Sequence, residues 1–168
     1  MGEPKIRPAS VADCERLTEI YNHYVKHTPI TFDIEEWTPE RRRGWIEQHA
    51  ETGRHQLLVA ETDGVVAGYA STGPWRAKQA YEPSVEMSVY LAPESTGMGL
   101  GSALYRELFA RLAREDVHRA LAGITMPNTA SIALHECFGF TKVAHFTENG
   151  RKHGRFWDVV WMEKCTFP

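Results

Sequence analysis

The sequence predicts an α/β fold built on a mixed, mostly antiparallel sheet with helices on both faces. Three observations lead to this prediction. Helix and strand patterns alternate in the second half of the chain, and a strong hairpin signal, Asp63-Gly64, lies in the first half. The length of 168 residues suits one domain with a substantial core and is short for two. We therefore predict a single domain over residues 1–168.

The chain opens with a short strand and a helix. Residues 5–7 form an edge strand that Pro8 stops. Ser10 and Asp13 have the spacing of a capping box, and apolar residues then recur at helical spacing as far as Val25. The segment predicts a first helix with one buried face.

A second helix and a hairpin follow. Thr38 and Pro39 are an N-cap and a first-turn proline, and Gly53 is the predicted end of this helix. Residues 56–60 and 65–70 flank the hairpin turn as two strands.

The second half begins with a strand over residues 84–91, in which apolar and polar side chains alternate as in a half-buried strand. Residues 118–124 read as a buried strand, and Asn128 opens a helix that ends near Gly139. Two last strands, residues 141–146 and 156–162, are predicted to be joined by a turn at Asn149-Gly150.

Between the strand 84–91 and a following helix lies a glycine turn: Gly97, Gly99 and Gly101. Glycines let the backbone approach a ligand, and the free N–H groups of a helix start favour an anion such as phosphate. A dinucleotide loop would need a further glycine where Ser102 stands, and a P-loop would need a lysine before that serine. From the residues alone, an anion-binding turn and a turn that serves only tight packing both stay open.

Charge and cysteine content limit the function classes. The net charge is −3, with 19 basic and 22 acidic residues and no long run of one sign. Neither nucleic acid nor an anionic membrane is therefore a predicted partner, and no apolar stretch is long enough to span a membrane. The three cysteines, Cys14, Cys137 and Cys165, are far apart and lack metal-ligand spacing, so we predict reduced thiols, no metal site and a cytoplasmic protein.

The glycine turn resembles the pyrophosphate loop of the GNAT superfamily of acyl-CoA N-acyltransferases, although Thr96 replaces the usual Gln or Arg before it. The order of the predicted elements is also that of the GNAT fold. The resemblance implies acetyl-CoA as co-substrate and no metal. It also implies the following cofactor-binding residues: Val89, Tyr90, Leu91, Gly97, Met98, Gly99, Leu100, Gly101, Ser102 and Asn128.

A second motif narrows the resemblance. His135 lies seven residues after Asn128, on the same helix face, where many GNAT enzymes carry a tyrosine. A histidine in this position, within residues 131–140, is similar to the phosphinothricin and methionine sulfoximine N-acetyltransferase branch. Residues 73–81, 85–90 and 152–158 also resemble that branch, so the likeness covers nearly the whole chain.

This resemblance implies roles for particular side chains. An amine is mostly protonated near neutral pH, and Glu86 would be the general base that removes its proton. His135 would be a second proton carrier, acting as acid or base. From the residues alone, a solvent-facing glutamate and a packed helix histidine remain alternatives. The implied substrate-binding residues are Phe32, Arg76, Lys78, Tyr81 and Ser88.

The sequence therefore predicts transfer of an acetyl group from acetyl-CoA to the α-amino group of a small amino-acid analogue. Phosphinothricin, methionine sulfoximine and methionine sulfone are the leading substrates. The alternatives are a GNAT enzyme for another amine, such as a peptide N-terminus or a polyamine, and a non-catalytic acyl-CoA sensor. The resemblance also implies a homodimer, with His153, Arg155 and Trp157 near the partner subunit.

Overall fold

A computed structural model describes residues 4–166 of the chain. In this part, seven strands form one sheet in the order β1-β2-β3-β4-β5-β7-β6. All neighbours are antiparallel except β4 and β5, which are parallel. The predicted mixed, mostly antiparallel sheet is confirmed. The strands are β1 (Lys5–Pro8), β2 (Leu57–Thr62), β3 (Val65–Pro74), β4 (Ser84–Leu91), β5 (Arg119–Thr125), β6 (Thr141–Lys152) and β7 (Arg155–Cys165).

Four α-helices accompany this sheet in residues 4–166: α1 (Cys14–His27), α2 (Pro39–Ile46), α3 (Leu100–Leu112) and α4 (Thr129–Cys137). The capping box ahead of α1 is present, since the Ser10 N–H donates to the Asp13 carboxylate at 2.8 Å. The Thr38 hydroxyl caps α2 by accepting from the Arg41 N–H, as predicted. None of these helices is long and apolar enough to cross a membrane.

The helices cover both faces of the sheet. Successive residues of β2 belong to different clusters, because side chains alternate across a strand. Leu58 packs with α3, and Val59 packs with α1 and the end of α2. Each face therefore has its own core, and the central strands lie between the two.

The sheet opens at its parallel pair. β4 pairs with β5 only from Ser84 to Glu86, although it remains paired with β3 as far as Leu91. Past Glu86 the two parallel strands therefore diverge and leave a cleft in the middle of the sheet.

Two local predictions are wrong. The helix α2 ends at Ile46 rather than near Gly53, because the next N–H groups, of Gln48 and His49, turn back to carbonyls three residues earlier. The last hairpin turns at His153-Gly154 rather than at Asn149-Gly150.

The hairpin difference has a physical cause. His153 and Gly154 both have positive φ, 51° and 75°, as a two-residue hairpin turn requires. β6 runs on through Gly150, and a Cβ there would lie 2.1 Å from the Phe32 ring. Gly150 is therefore needed for close packing and not for a turn.

Candidate active site

The cleft between β4 and β5 is a cavity of about 340 Å³, bounded also by the start of α3 and by α4. The Ala92 N–H donates to Ala67 on the β3 side. Because N–H groups alternate along a strand, those of Val89 and Leu91 point away from β3 and into the cleft. Tyr24 fixes the end of β4 by donating its hydroxyl to the Leu91 carbonyl at 2.6 Å. Val89, Tyr90 and Leu91 all line the cavity, as the predicted cofactor strand would.

The glycine turn lies at the mouth of this cleft, directly before α3. Gly97 and Gly99 have φ of 76° and 77°, a backbone conformation that favours glycine. Gly101 has a different role, since a Cβ there would lie 3.3 Å from Leu134 on α4. The turn thus combines the two possibilities: its first glycines shape the backbone, and its third permits close helix packing.

This geometry suits a pyrophosphate, because the first N–H groups of α3 have no partner within the helix and the helix begins beside the cavity. Gly97 and Gly101 line the cavity itself. Met98 is exposed, and Leu100 is buried in the core, so Leu100 offers only its backbone. The predicted residues outside the cavity lining are Met98, Gly99, Leu100 and Ser102.

Asn128 and His135 occupy the α4 side of the cleft. The Asn128 side chain caps α4 by accepting from the Ser131 N–H at 3.1 Å. His135 is 3% exposed, and its Nδ1 lies 2.7 Å from the Ser131 carbonyl, which can only accept. Nδ1 therefore carries a hydrogen, and burial lowers the pKa of the ring below its ordinary value, so His135 is neutral.

Tyr105, on α3, is the hydrogen-bond partner of His135. Its hydroxyl lies 3.0 Å from His135 Nε2, which in the neutral ring accepts the hydrogen bond. Tyr105 is completely buried yet lines the cleft, and burial raises its pKa well above the ordinary tyrosine value. The sequence analysis did not single out Tyr105, because the contact joins two helices and no spacing within one helix reveals it.

A second cavity of about 220 Å³ lies on the other face of β4. Glu86, Ser88 and Tyr90 alternate along the strand toward it, and Ser88 and Tyr90 line both cavities. Burial raises the pKa of Glu86, and the charge of Arg76 acts against that rise. The strand β4 is thus the common wall of two cavities, with a half-buried carboxyl group on one side.

The other predicted substrate residues, Phe32, Arg76, Lys78 and Tyr81, do not line this second cavity. Arg76 is exposed and stacks on Trp75 at 4.7 Å, and Tyr81 meets the same indole edge-on at 5.2 Å. Lys78 is exposed at the start of a short turn, and Phe32 packs against Gly150. In residues 4–166, no group of three histidine, cysteine or acidic residues could hold a metal ion.

Comparison with known proteins identifies the family. A sequence model described as an acetyltransferase (GNAT) domain matches residues 6–161. The chain belongs to the GNAT acetyltransferase superfamily. The GNAT fold and the N-acetyltransferase class that the sequence predicts are therefore confirmed.

Relatives place the chain in one branch of the GNAT superfamily. It is 53% identical to the phosphinothricin N-acetyltransferase of Streptomyces coelicolor, covering 97% of this chain and 96% of the relative. It is 41% identical to the L-methionine sulfoximine/L-methionine sulfone acetyltransferase of Salmonella typhimurium, covering 94% and 92%. The predicted resemblance to the phosphinothricin and methionine sulfoximine branch is confirmed.

Solved structures of GNAT enzymes show the same architecture. An acetyltransferase from Salmonella typhimurium, determined with its cofactor acetyl-CoA, superimposes with a TM-score of 0.93 at 38% identity over 99% of this chain and 96% of the other. A ribosomal-protein-alanine N-acetyltransferase from Brucella melitensis gives a TM-score of 0.90 at 38% identity, covering 96% and 99%.

Proposed function

We propose that this GNAT enzyme, acting as one domain, transfers the acetyl group of acetyl-CoA to the α-amino group of a small amino-acid analogue. Phosphinothricin, methionine sulfoximine and methionine sulfone are the proposed substrates. The observation that carries the proposal is the pair of cavities that share Ser88 and Tyr90 as a wall. The cleft suits the acetyl donor, and the cavity beside Glu86 suits the amine.

The cleft supports acetyl-CoA as the donor on three points. The glycine turn and the first α3 amides suit its pyrophosphate. The Val89 and Leu91 N–H groups have no partner strand beside them past Glu86, so they are available to the pantetheine arm and the acetyl carbonyl. A solved structure also supports acetyl-CoA as the donor, because one GNAT neighbour contains this molecule.

Glu86 is the proposed general base. The amine needs its lone pair to attack the thioester carbonyl, and a carboxylate within reach, directly or through one water, takes the proton. Burial raises the pKa of Glu86, which makes its carboxylate a stronger base than that of an exposed glutamate. As the C–N bond forms and the C–S bond breaks, the nitrogen loses its proton and the sulfur departs as a thiolate.

His135 and Tyr105 are the proposed proton relay for that thiolate: the Tyr105 hydroxyl gives its proton to the sulfur and regains one from solvent in the cleft, while the proton taken by Glu86 is released to solvent. Both line the cleft, and they are hydrogen-bonded to each other. The direct transfer uses no serine or cysteine nucleophile. Arg76, whose charge acts on Glu86, and the exposed Lys78 are the proposed positive charges for an anionic amino acid.

The general base is tested by Glu86→Gln. We expect kcat to fall by about 10²–10⁴-fold, while acetyl-CoA affinity changes by less than about twofold. Glu47→Gln, at an exposed site just after α2, is the matched control and should leave both quantities unchanged. Unchanged turnover in Glu86→Gln would remove Glu86 from the mechanism.

Substrate class is tested by thiol release from acetyl-CoA with phosphinothricin, methionine sulfoximine, methionine sulfone, spermidine and an alanine-terminal peptide. The ribosomal-protein-alanine N-acetyltransferase among the neighbours makes the peptide the second candidate. Turnover of the peptide alone would replace the amino-acid proposal. Acetyl-CoA binding with no turnover at all would favour a sensor.

Assembly as a homodimer and a cytoplasmic location are further proposals. Phe146 and Phe156 are about half exposed on the β6–β7 hairpin, whose outer strand is a sheet edge. Light scattering of the purified chain gives its mass directly. A mass of one chain, 19.1 kDa, at working concentration would contradict the dimer.

A further inference from the structure

Arg42 is an unusual residue in the wall of the Glu86 cavity. It lies on α2, is 1% exposed, and is surrounded by aromatic rings. Its guanidinium carbon lies 4.3 Å from the Trp37 ring centre, 4.6 Å from that of Tyr21 and 4.7 Å from that of Trp45. The rings stabilise a cation through their faces, but they offer it no hydrogen-bond acceptor.

Two of the three guanidinium nitrogens have no hydrogen-bond partner. Arg42 Nε and Nη2 are buried and make no hydrogen bond, and the hydroxyl of Tyr69 beside them makes none either. Across residues 4–166, no carboxylate forms an ion pair with Arg42. The Asp33 carboxylate binds the Tyr21 hydroxyl and the Trp37 indole N–H instead.

Such an arrangement is costly unless a ligand completes it. An unpaired buried charge is strongly destabilising, and each buried donor without an acceptor adds to the cost. Arg42 and Tyr69 both line the cavity that contains Glu86. Three donor atoms at one wall of a cavity fit a ligand with acceptor oxygens, and anionic oxygens best of all.

The position of Arg42 relative to the residues of β4 indicates which end of a ligand it contacts. Arg42 lies 5.8 Å from the ring of Tyr69, whose register partner is Tyr90, whereas Glu86 pairs with Gly73. Four residues of strand separate the backbone of Tyr90 from that of Glu86 by roughly 13 Å, which favours different ends of the cavity for the donors and for Glu86. The cation whose charge acts on Glu86 is Arg76.

We propose that Arg42, together with the Tyr69 hydroxyl, binds the oxygen-bearing end of the substrate side chain, such as a phosphinate, sulfone or sulfoximine group. This inference rests on the proposed function, in which the amine lies near Glu86. The α-carboxylate is attached to the same carbon as the amine and remains near the Glu86 end. The side-chain terminus extends away and reaches Arg42.

The test compares Arg42→Met and Tyr69→Phe with wild type on three amines. Methionine sulfone has both a sulfone and an α-carboxylate. Methionine lacks the sulfone oxygens, and 3-(methylsulfonyl)propylamine lacks only the carboxylate. We expect Arg42→Met to lower kcat/KM about 10–100-fold, mainly through KM, for the two sulfones and by less than about threefold for methionine. Tyr69→Phe should act in the same direction more weakly, and Arg42→Lys should restore part of the loss.

Arg43→Met, one residue further on the exposed side of α2, is the matched control and should change none of the three values. If Arg42→Met instead lowers kcat/KM for methionine sulfone and methionine but not for the propylamine, Arg42 binds the α-carboxylate. The assignment of the two ends of the substrate is then wrong. Equal losses on all three amines would mean that Arg42 serves only the fold.

A binding measurement separates this inference from the proposed function. Trp37 and Trp45 flank Arg42, so methionine sulfone binding should change the tryptophan fluorescence without any turnover. Binding in wild type that is lost in Arg42→Met would support the site even if no amino acid is acetylated. Turnover of methionine sulfone that Arg42→Met leaves unchanged would overturn the inference and leave the proposed function standing.

Discussion

Replacing Tyr105 by phenylalanine removes one hydrogen bond from a buried pair and keeps the rest of the side chain in place. In the wild type, the Tyr105 hydroxyl donates to His135 Nε2, while Nδ1 donates to the Ser131 carbonyl. Both side chains are at least 97% buried, and no other protein group in residues 4–166 makes a hydrogen bond with His135 Nε2. The variant leaves Nε2 as a buried acceptor without a partner.

The expected loss of stability is about 1–3 kcal/mol, the cost of one unsatisfied buried polar group. For a chain of this length, that corresponds to a decrease in Tm of roughly 2–12 °C. The lost hydrogen bond stabilised the neutral ring. Losing about 1 kcal/mol of that preference should raise the pKa of His135 by roughly 0.7 units.

The assay is a pH titration of the histidine ring protons by NMR, together with thermal denaturation. Tyr24→Phe removes a hydroxyl that donates to Leu91 instead, and it should leave the pKa of His135 unchanged. An unchanged or lowered pKa in Tyr105→Phe would refute the assignment of Nε2 as acceptor. If the pair supplies the proton to the thiolate, kcat falls as well.

The same pair contributes to the pH dependence of stability. Burial lowers the pKa of His135 in the folded state, so the unfolded chain binds a proton more readily. The stability that His135 contributes is therefore present above about pH 6.5 and is lost as pH falls below it. In Tyr105→Phe the folded pKa lies closer to the unfolded value, and this part of the acid sensitivity should be smaller.

Two further predictions follow, one from a close contact and one from a charge. Gly150→Ala places a Cβ 2.1 Å from the Phe32 ring and should cost about 1–3 kcal/mol, seen as a lower Tm; adding Phe32→Ala should remove that extra cost, and strict additivity of the two changes would contradict the clash. Arg76→Ala removes the charge that favours ionised Glu86, so the acidic limb of kcat against pH should move to higher pH. A limb that stays in place or moves to lower pH would show that Arg76 does not act on the base.

Local signals in the sequence predicted most of the fold. The capping residues Ser10 and Asp13, the Thr38 cap and the Asp63-Gly64 hairpin depend on interactions within a few residues, and the structure confirms all three. Asn149-Gly150 misled for the opposite reason. Gly150 is required by its contact with Phe32, which lies more than a hundred residues away in the sequence. No local pattern can predict such a contact.

The parts of the candidate site that continuous backbone segments form were predictable from the sequence. The glycine turn and β4 are continuous segments, and their residues line the cleft as expected. Arg42 was missed because it lies in the run Arg41-Arg42-Arg43, which reads as a solvated helix face. Trp45 of α2 and aromatic residues from other segments, Tyr21, Trp37 and Tyr69, together surround the middle arginine, and only tertiary packing brings them together. Tyr105 was missed because its partner His135 lies on another helix.

The short pairing of β4 with β5 makes an interior strand behave like an edge. Three register pairs join the two strands, Ser84 with Arg119, Val85 with Ala120 and Glu86 with Leu121. In the free protein, the amides of Val89 and Leu91 should exchange with deuterium about as fast as those of an edge strand, although they lie at the centre of the sheet. A molecule bound across the gap would supply the missing acceptors and slow that exchange. The ligand would then act as a structural part of the sheet, joining a four-stranded half to a three-stranded half.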